Sequence, residues 1–140
     1  AKGFAAEEVS AQLAALGFTN HLVSIGGDLR ARGVGPFGRG WRVGIEDPSG
    51  NGLARTLALR DAALSTSGNY RNFFTASGRR YGHIIDPRAG RPVENSTRLA
   101  AVVALRKLER AEVSQFLADA EPRGGRLLGG LLERAELFLE

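Results

Sequence analysis

The chain is written as short alternating runs, each cut off by glycine or by Asp-Pro, and this punctuation constrains the fold more than any other feature. Trp41-Arg42-Val43-Gly44-Ile45-Glu46 alternates and stops at Asp47-Pro48. Proline lacks a backbone donor and restricts the residue before it, so a strand ends there. Leu53 to Leu59 alternates again, and His21 to Ile25 reads as a strand ended by Gly26-Gly27. Tyr70 to Thr75 and Arg79 to Ile85 flank Ala76-Ser77-Gly78, the signature of a hairpin. Leu99 to Leu105 and Ala135 to Leu139 complete the expected strands. Strands joined by short turns, with helices at the ends, predict an α+β fold: a largely antiparallel sheet with flanking helices.

Phe4, Val9, Leu13 and Leu16 recur at helical spacing, with Glu7, Glu8, Ser10 and Gln12 between them and Gly17 as the stop. The pattern predicts an amphipathic helix packed on one face of the sheet. Leu108 to Leu117 and Gly125 to Arg134 also read as helices, separated by Glu121-Pro122. Gly33 to Gly40 carries four glycines with Pro36 and Phe37 and reads as a flexible connection.

The 140 residues make one domain, or a piece of one, and the chain opens on Ala rather than Met, so an earlier segment is expected. No apolar run approaches the roughly 18 residues of a membrane span, and no stretch of these residues is expected to be a signal peptide. Cysteine is absent, which excludes disulfides, thiolate metal ligands and a cysteine nucleophile. The net charge of +4 is carried by dispersed arginines, with Lys2 and Lys107 the two lysines. Nucleic-acid binding calls for a concentrated basic patch with interleaved aromatics, which is not the pattern here. A modest positive excess suits an anionic small ligand better.

Four blocks carry candidate chemistry. In Tyr81-Gly82-His83-Ile84-Ile85-Asp86-Pro87-Arg88-Ala89-Gly90-Arg91-Pro92, an imidazole lies two residues inside an expected strand, close to a rigid basic corner. Acid–base work and anion binding both fit that placement, as does an ordinary strand histidine. Gly26-Gly27-Asp28 offers bare backbone beside a carboxylate, or simply a tight turn. Ser65-Thr66-Ser67-Gly68 puts three hydroxyls before a glycine; such a turn binds phosphate, or merely closes a strand. Lys2 stands at a helix start, where the dipole does not favour a cation, which makes more sense if an anion faces it. His21 belongs to no block and reads as structural.

With Lys2-Gly3-Phe4-Ala5-Ala6-Glu7 in front, these blocks stand in an order that resembles the FAD:protein FMN transferase, or ApbE, family. The family's pattern runs roughly K-G-[YF]-A-x-[DE], G-G-D, [AS]-T-S-G-[DN]-Y and H-x-[IL]-D-P-x-[TA]-G-x-P. The resemblance covers residues 2 to 92 well and the last third poorly. It implies an ApbE-like (T-fold-like) domain over residues 1–140, as the C-terminal part of a longer parent. It implies FAD as the FMN donor and Mg²⁺ across its pyrophosphate. The FMN half passes to a threonine hydroxyl of a target protein, and AMP leaves. His83 carries over as the catalytic residue that accepts the hydroxyl proton. Lys2, Gly26, Gly27, Asp28, Ser65, Thr66, Ser67, Gly68 and Asp86 carry over as cofactor-binding residues.

The metal ligands do not carry over. The family places an aspartate and a threonine on a helix after the last core strand; read without gaps, those positions hold Ala111 and Gln115. A shifted register recovers Asp119 but puts Arg123 at the threonine position. Neither alanine nor glutamine replaces an anionic ligand and a hydroxyl for a hard cation. Leu131 to Phe138 resumes the family's ending. The metal ligands therefore stay unassigned. Two alternatives stand beside the transferase: a flavin-binding module without metal or turnover, and an FAD pyrophosphatase. Many relatives are tethered at the outer face of the bacterial cytoplasmic membrane, so the resemblance points to the cell envelope.

Overall fold

A computed structural model describes residues 1–94, 97–105 and 135–139. The expected helices at Leu108–Leu117 and Gly125–Arg134, and with them Ala111, Gln115, Asp119 and Arg123, lie outside the described residues. The elements run α1 (Lys2–Ala15), β1 (His21–Ile25), β2 (Asp28–Arg32), β3 (Trp41–Glu46), β4 (Leu53–Leu59), β5 (Ala63–Gly68), β6 (Phe73–Ala76), β7 (Arg79–Gly82), β8 (Ile85–Asp86), β9 (Arg91–Pro92), β10 (Leu99–Ala104) and β11 (Ala135–Leu139). Five strands form the main sheet in the order β1-β2-β5-β10-β11, and every pairing in it is antiparallel. The α+β expectation holds.

The sheet has a layer on each side. Ala31, Leu64, Leu99 and Ala101 point to one face, where they meet Val43, Ile45 and Leu59 of the β3–β4 ribbon in the main core cluster. Side chains alternate along a strand, so His21, Val23, Arg30, Arg32, Asp28 and Ser65 share the opposite face. There α1 packs.

The helix does not pack through the expected stripe. Phe4 is 60% exposed and Leu16 73%, whereas Ala6 and Ser10 are the buried positions. The reason is polar. Glu7 pairs with Arg30 and Arg32 of β2, at 2.8 and 3.5 Å, the Arg30 contact being an ion pair without hydrogen-bond alignment. Ser10 Oγ, fully buried, accepts from Arg32 Nε at 3.1 Å and lies 2.8 Å from His21 Nε2. His21 Nδ1 lies 2.7 Å from the Phe18 carbonyl, which can only accept, so Nδ1 carries the proton. In the neutral ring Nε2 then accepts the Ser10 hydroxyl. His21 is the structural residue expected, tying helix to sheet.

Two further expectations need correction. Ser65–Gly68 is not a turn but the last four of the six residues of β5, the middle strand of the sheet, paired with β10 from Leu99↔Gly68 to Val102↔Ser65. The short side chains of Ser65 and Ser67 fit the sheet face partly covered by the helix. His83 does not lie inside a strand: β7 ends at Gly82, and β8 starts at Ile85. The hairpin at Ser77-Gly78 holds, with φ of 51° and 72° across a two-residue loop. Strand β2 was not expected, because the sequence reading stopped at the glycine pair.

Candidate functional site

Gly26 and Gly27 form the two-residue loop between β1 and β2, where Ile25 pairs with Asp28. Their φ values of 56° and 92° suit a primed hairpin turn, which strongly favours glycine. The Lys2 side chain lies close over Gly26, with Cδ 2.6 Å from where a Cβ would stand. Lys2 reaches over the turn and donates from Nζ to the Gly26 carbonyl at 2.8 Å. An ammonium has three donors, so this bond positions the charge and leaves two donors for another group.

Asp28 stands directly after the turn. Its Oδ1 accepts from Ser65 Oγ at 2.8 Å, a bond joining residues 37 apart in sequence. Its Oδ2 faces Gly3 in the first turn of α1, so the carboxylate sits where the helix dipole is positive. Lys2, Gly26, Gly27, Asp28 and Ser65 thus form one cluster at the N-terminal end of α1. Ser67 shares the face of Ser65 by strand alternation, whereas Thr66 points to the opposite one. Gly68 ends the strand under the Tyr70 ring, where a Cβ would meet ring carbons at 2.8 Å.

His83 and Asp86 belong to a separate arm built from the β6–β7 hairpin and the β8–β9 ribbon. The His83 amide donates to the Asn72 carbonyl at 3.3 Å, and its ring Nδ1 lies 3.2 Å from the same oxygen. Asp86 organises its own turn: Oδ1 accepts from the Arg88 amide and the carbonyl from the Gly90 amide, both at 2.8 Å. Among the described residues no hydrogen bond or ion pair joins His83 to Asp28, Ser65 or Lys2. Arm and sheet connect instead through Asn69, which follows β5 and packs its side chain on Gly82, immediately before His83.

That connection was missed by the sequence reading, which gave Asn69 and Tyr70 no role. Arg80 donates to the carbonyls of Asn69 and Tyr70 at 2.8 and 2.9 Å, and its guanidinium lies 3.6 Å from the Phe73 ring centroid. Tyr70 donates to Glu46 Oε2 at 3.0 Å, and Arg71 grips the same carboxylate with both oxygens in reach. Burial, then the hydrogen bond and charge of Glu46, push the Tyr70 hydroxyl above its ordinary range. A half-open cavity of about 420 Å³ lies between Asn69-Tyr70, Arg79–Gly82, Pro92–Glu94 and Thr97-Arg98. The only sequence signal for this network is the Asn-Tyr-Arg run after the hydroxyl block.

No group of three or more His, Asp or Glu side chains is gathered among the described residues. Asp28 is the single carboxylate of its cluster, and one of its oxygens already takes the Ser65 hydroxyl.

The ApbE family model matches residues 1–121 of the chain. A curated FAD:protein FMN transferase from Vibrio cholerae is 41% identical over 109 residues, which is 76% of this chain and 32% of that protein. Its counterpart from Escherichia coli K12 is 35% identical over 130 residues, 91% of this chain and 35% of the relative. Among solved structures, the apo form of the Pseudomonas stutzeri flavinyl transferase ApbE superposes with a TM-score of 0.62 at 41% identity, covering 74% of this chain and 32% of its own. The chain therefore spans about a third of the length of the curated relatives it matches. With a family match over most of its length, and relatives up to 41% identical, the chain belongs to the ApbE family.

Proposed function

We propose that this chain is the C-terminal part of an FAD:protein FMN transferase. The threonine oxygen of a target protein bonds to the phosphorus of the FMN half. The bond from that phosphorus to the bridging oxygen breaks, AMP leaves, and the hydroxyl proton passes to His83. The observation that carries this reading is the Ser65–Asp28 hydrogen bond at the N-terminal turn of α1, beside Lys2. It joins three of the four sequence blocks into one polar cluster, with an ammonium and a helix N-terminus for phosphate oxygens. Ser67, Gly26 and Gly27 shape that surface, Thr66 and Gly68 stand on the other face of the same strand, and Asp86 holds the turn after His83.

Bound Mg²⁺ would neutralise charge between the two phosphates as the bond breaks. No group of three or more His, Asp or Glu side chains that could hold it is gathered among the described residues. The roles that remain for these side chains are binding, orientation and proton acceptance.

The test is to incubate the full-length parent with FAD, Mg²⁺ and a threonine-bearing peptide from a candidate target. Flavin fluorescence on the peptide and AMP release should appear together, and His83→Ala should abolish both. AMP and free FMN without labelled peptide would mark a pyrophosphatase. FAD binding with neither product would mark a flavin-binding module.

A further inference from the structure

The exposed ring of His83 makes one hydrogen bond among the described residues, from Nδ1 to the backbone carbonyl of Asn72. A carbonyl oxygen has no proton to give, so this contact exists only if Nδ1 carries the hydrogen. A neutral imidazole carries one ring proton, and Nε2 is then a bare acceptor with no partner among the described residues. The same Asn72 oxygen also accepts the His83 amide, so backbone and ring are referred to a single atom. Both bonds extend the β6–β7 ladder by one step beyond its last pair, Phe73↔Gly82.

The Asn72 carbonyl is in turn presented by a segment pinned on either side. Arg80 reaches back to the carbonyls of Asn69 and Tyr70 and lays its guanidinium on Phe73, so one side chain contacts residues both before and after Asn72. Arg71 and Tyr70 share the Glu46 carboxylate at the end of β3. Gly82 lets the chain pass: a Cβ there would come within 2.4 Å of Asn69 Oδ1. None of these residues, His83 included, belongs to the cluster around Asp28.

We infer that the Asn72 carbonyl fixes His83 as the Nδ1–H tautomer, so that Nε2 is the atom that takes the acceptor hydroxyl proton, and that Arg80 is the positioning residue holding that carbonyl in place. The inference rests on the transferase reading for its chemistry, but its geometry is open to test without FAD. The ring must receive a proton at one nitrogen while the other stays hydrogen-bonded; a ring fixed at Nδ1 does so at Nε2 without reorienting.

The experiment is nitrogen-15 NMR of histidine-labelled full-length parent, with His83 resonances assigned by their loss in His83→Ala. At a pH where the ring is neutral, the expected result is a protonated Nδ1 and a bare Nε2 as the majority form. Arg80→Gln should shift the majority toward Nε2–H or a mixture. It should lower kcat for peptide labelling on the order of tenfold, a part of the usual acid–base contribution, with little change in the KM for FAD. Arg80→Lys, which keeps a cation with a single donor centre, should fall between the two. An Nε2–H majority in the native protein overturns the inference, as does an Arg80→Gln spectrum unchanged from native. Either result leaves the transferase reading standing if His83→Ala still abolishes transfer. Native labelling rates in His83→Ala overturn the transferase role of His83 whatever the tautomer.

Discussion

Ser65 and Asp28 lie 37 positions apart, and the Ser65 hydroxyl donates to the Asp28 carboxylate across adjacent strands at 2.8 Å. The bond gives the carboxylate a fixed orientation under the first turn of α1. Asp28→Ala should therefore weaken FAD binding and lower transfer at least tenfold, while Ser65→Ala has a smaller effect in the same direction. Loss of one such exposed hydrogen bond costs about 1 kcal/mol of stability. Flavin titration and urea denaturation of both variants separate site from fold. Unchanged FAD affinity in Asp28→Ala would remove this cluster from the binding surface.

Gly82→Ala should be destabilising out of proportion to its size. The added Cβ would come within 2.4 Å of Asn69 Oδ1 and 2.6 Å of its Cγ. Overpacking of this kind costs about 1–3 kcal/mol. Shortening the neighbour relieves the clash, so Gly82→Ala combined with Asn69→Ala should recover much of that loss. Denaturation midpoints of the four proteins of the cycle give the coupling, and strict additivity would contradict the contact.

Ser10 should matter more to stability than any apolar residue on the outer side of α1. Ser10→Ala leaves His21 Nε2 and Arg32 Nε without their shared partner in a buried place, for about 1–3 kcal/mol. Leu16→Ser, at a position 73% exposed, should stay within about 0.5 kcal/mol. Thermal or urea unfolding of this 140-residue chain ranks them directly, and the reverse ranking would restore the Phe4–Val9–Leu13–Leu16 stripe as the packing face.

Tyr70 predicts an alkaline loss of stability. Burial first, and Glu46 second, hold its proton on above the ordinary tyrosine range. The folded state thus binds this proton more tightly than the unfolded chain. The contribution is complete below pH about 10, where unfolded tyrosine is protonated. It is lost as pH rises through the folded value. Urea midpoints from pH 8 to 11 should fall more steeply for the native chain than for Tyr70→Phe. Parallel curves would mean that the phenol is free in solution.

The local grammar of the fold is legible in the sequence. Alternation bounded by glycine and Asp-Pro gives β3 and β4 at Trp41–Glu46 and Leu53–Leu59, and β1 and β11 at His21–Ile25 and Ala135–Leu139, because a strand's period and its breakers act within a few residues. The order of the four blocks likewise marks the family, since each is a contiguous run. Pairing is not contained in such runs. The hydroxyl block reads as a turn because serine, threonine and glycine favour turns locally, yet it continues β5, which β2 pairs at Ala63 and Leu64 and β10 pairs along the whole block. The helix stripe misleads for a similar reason: Ala6 and Ser10 allow close approach, and Glu7 finds Arg30 and Arg32 only once β2 has folded back at the glycine pair. The setting of His83 is decided wholly by tertiary structure. Its ring is oriented by a carbonyl eleven residues earlier, held by Arg80 and by an Asn69 that fits only against a glycine. Sequence names the chemical groups through short-range pattern; the long-range hydrogen bonds that aim them exist only after the strands have paired.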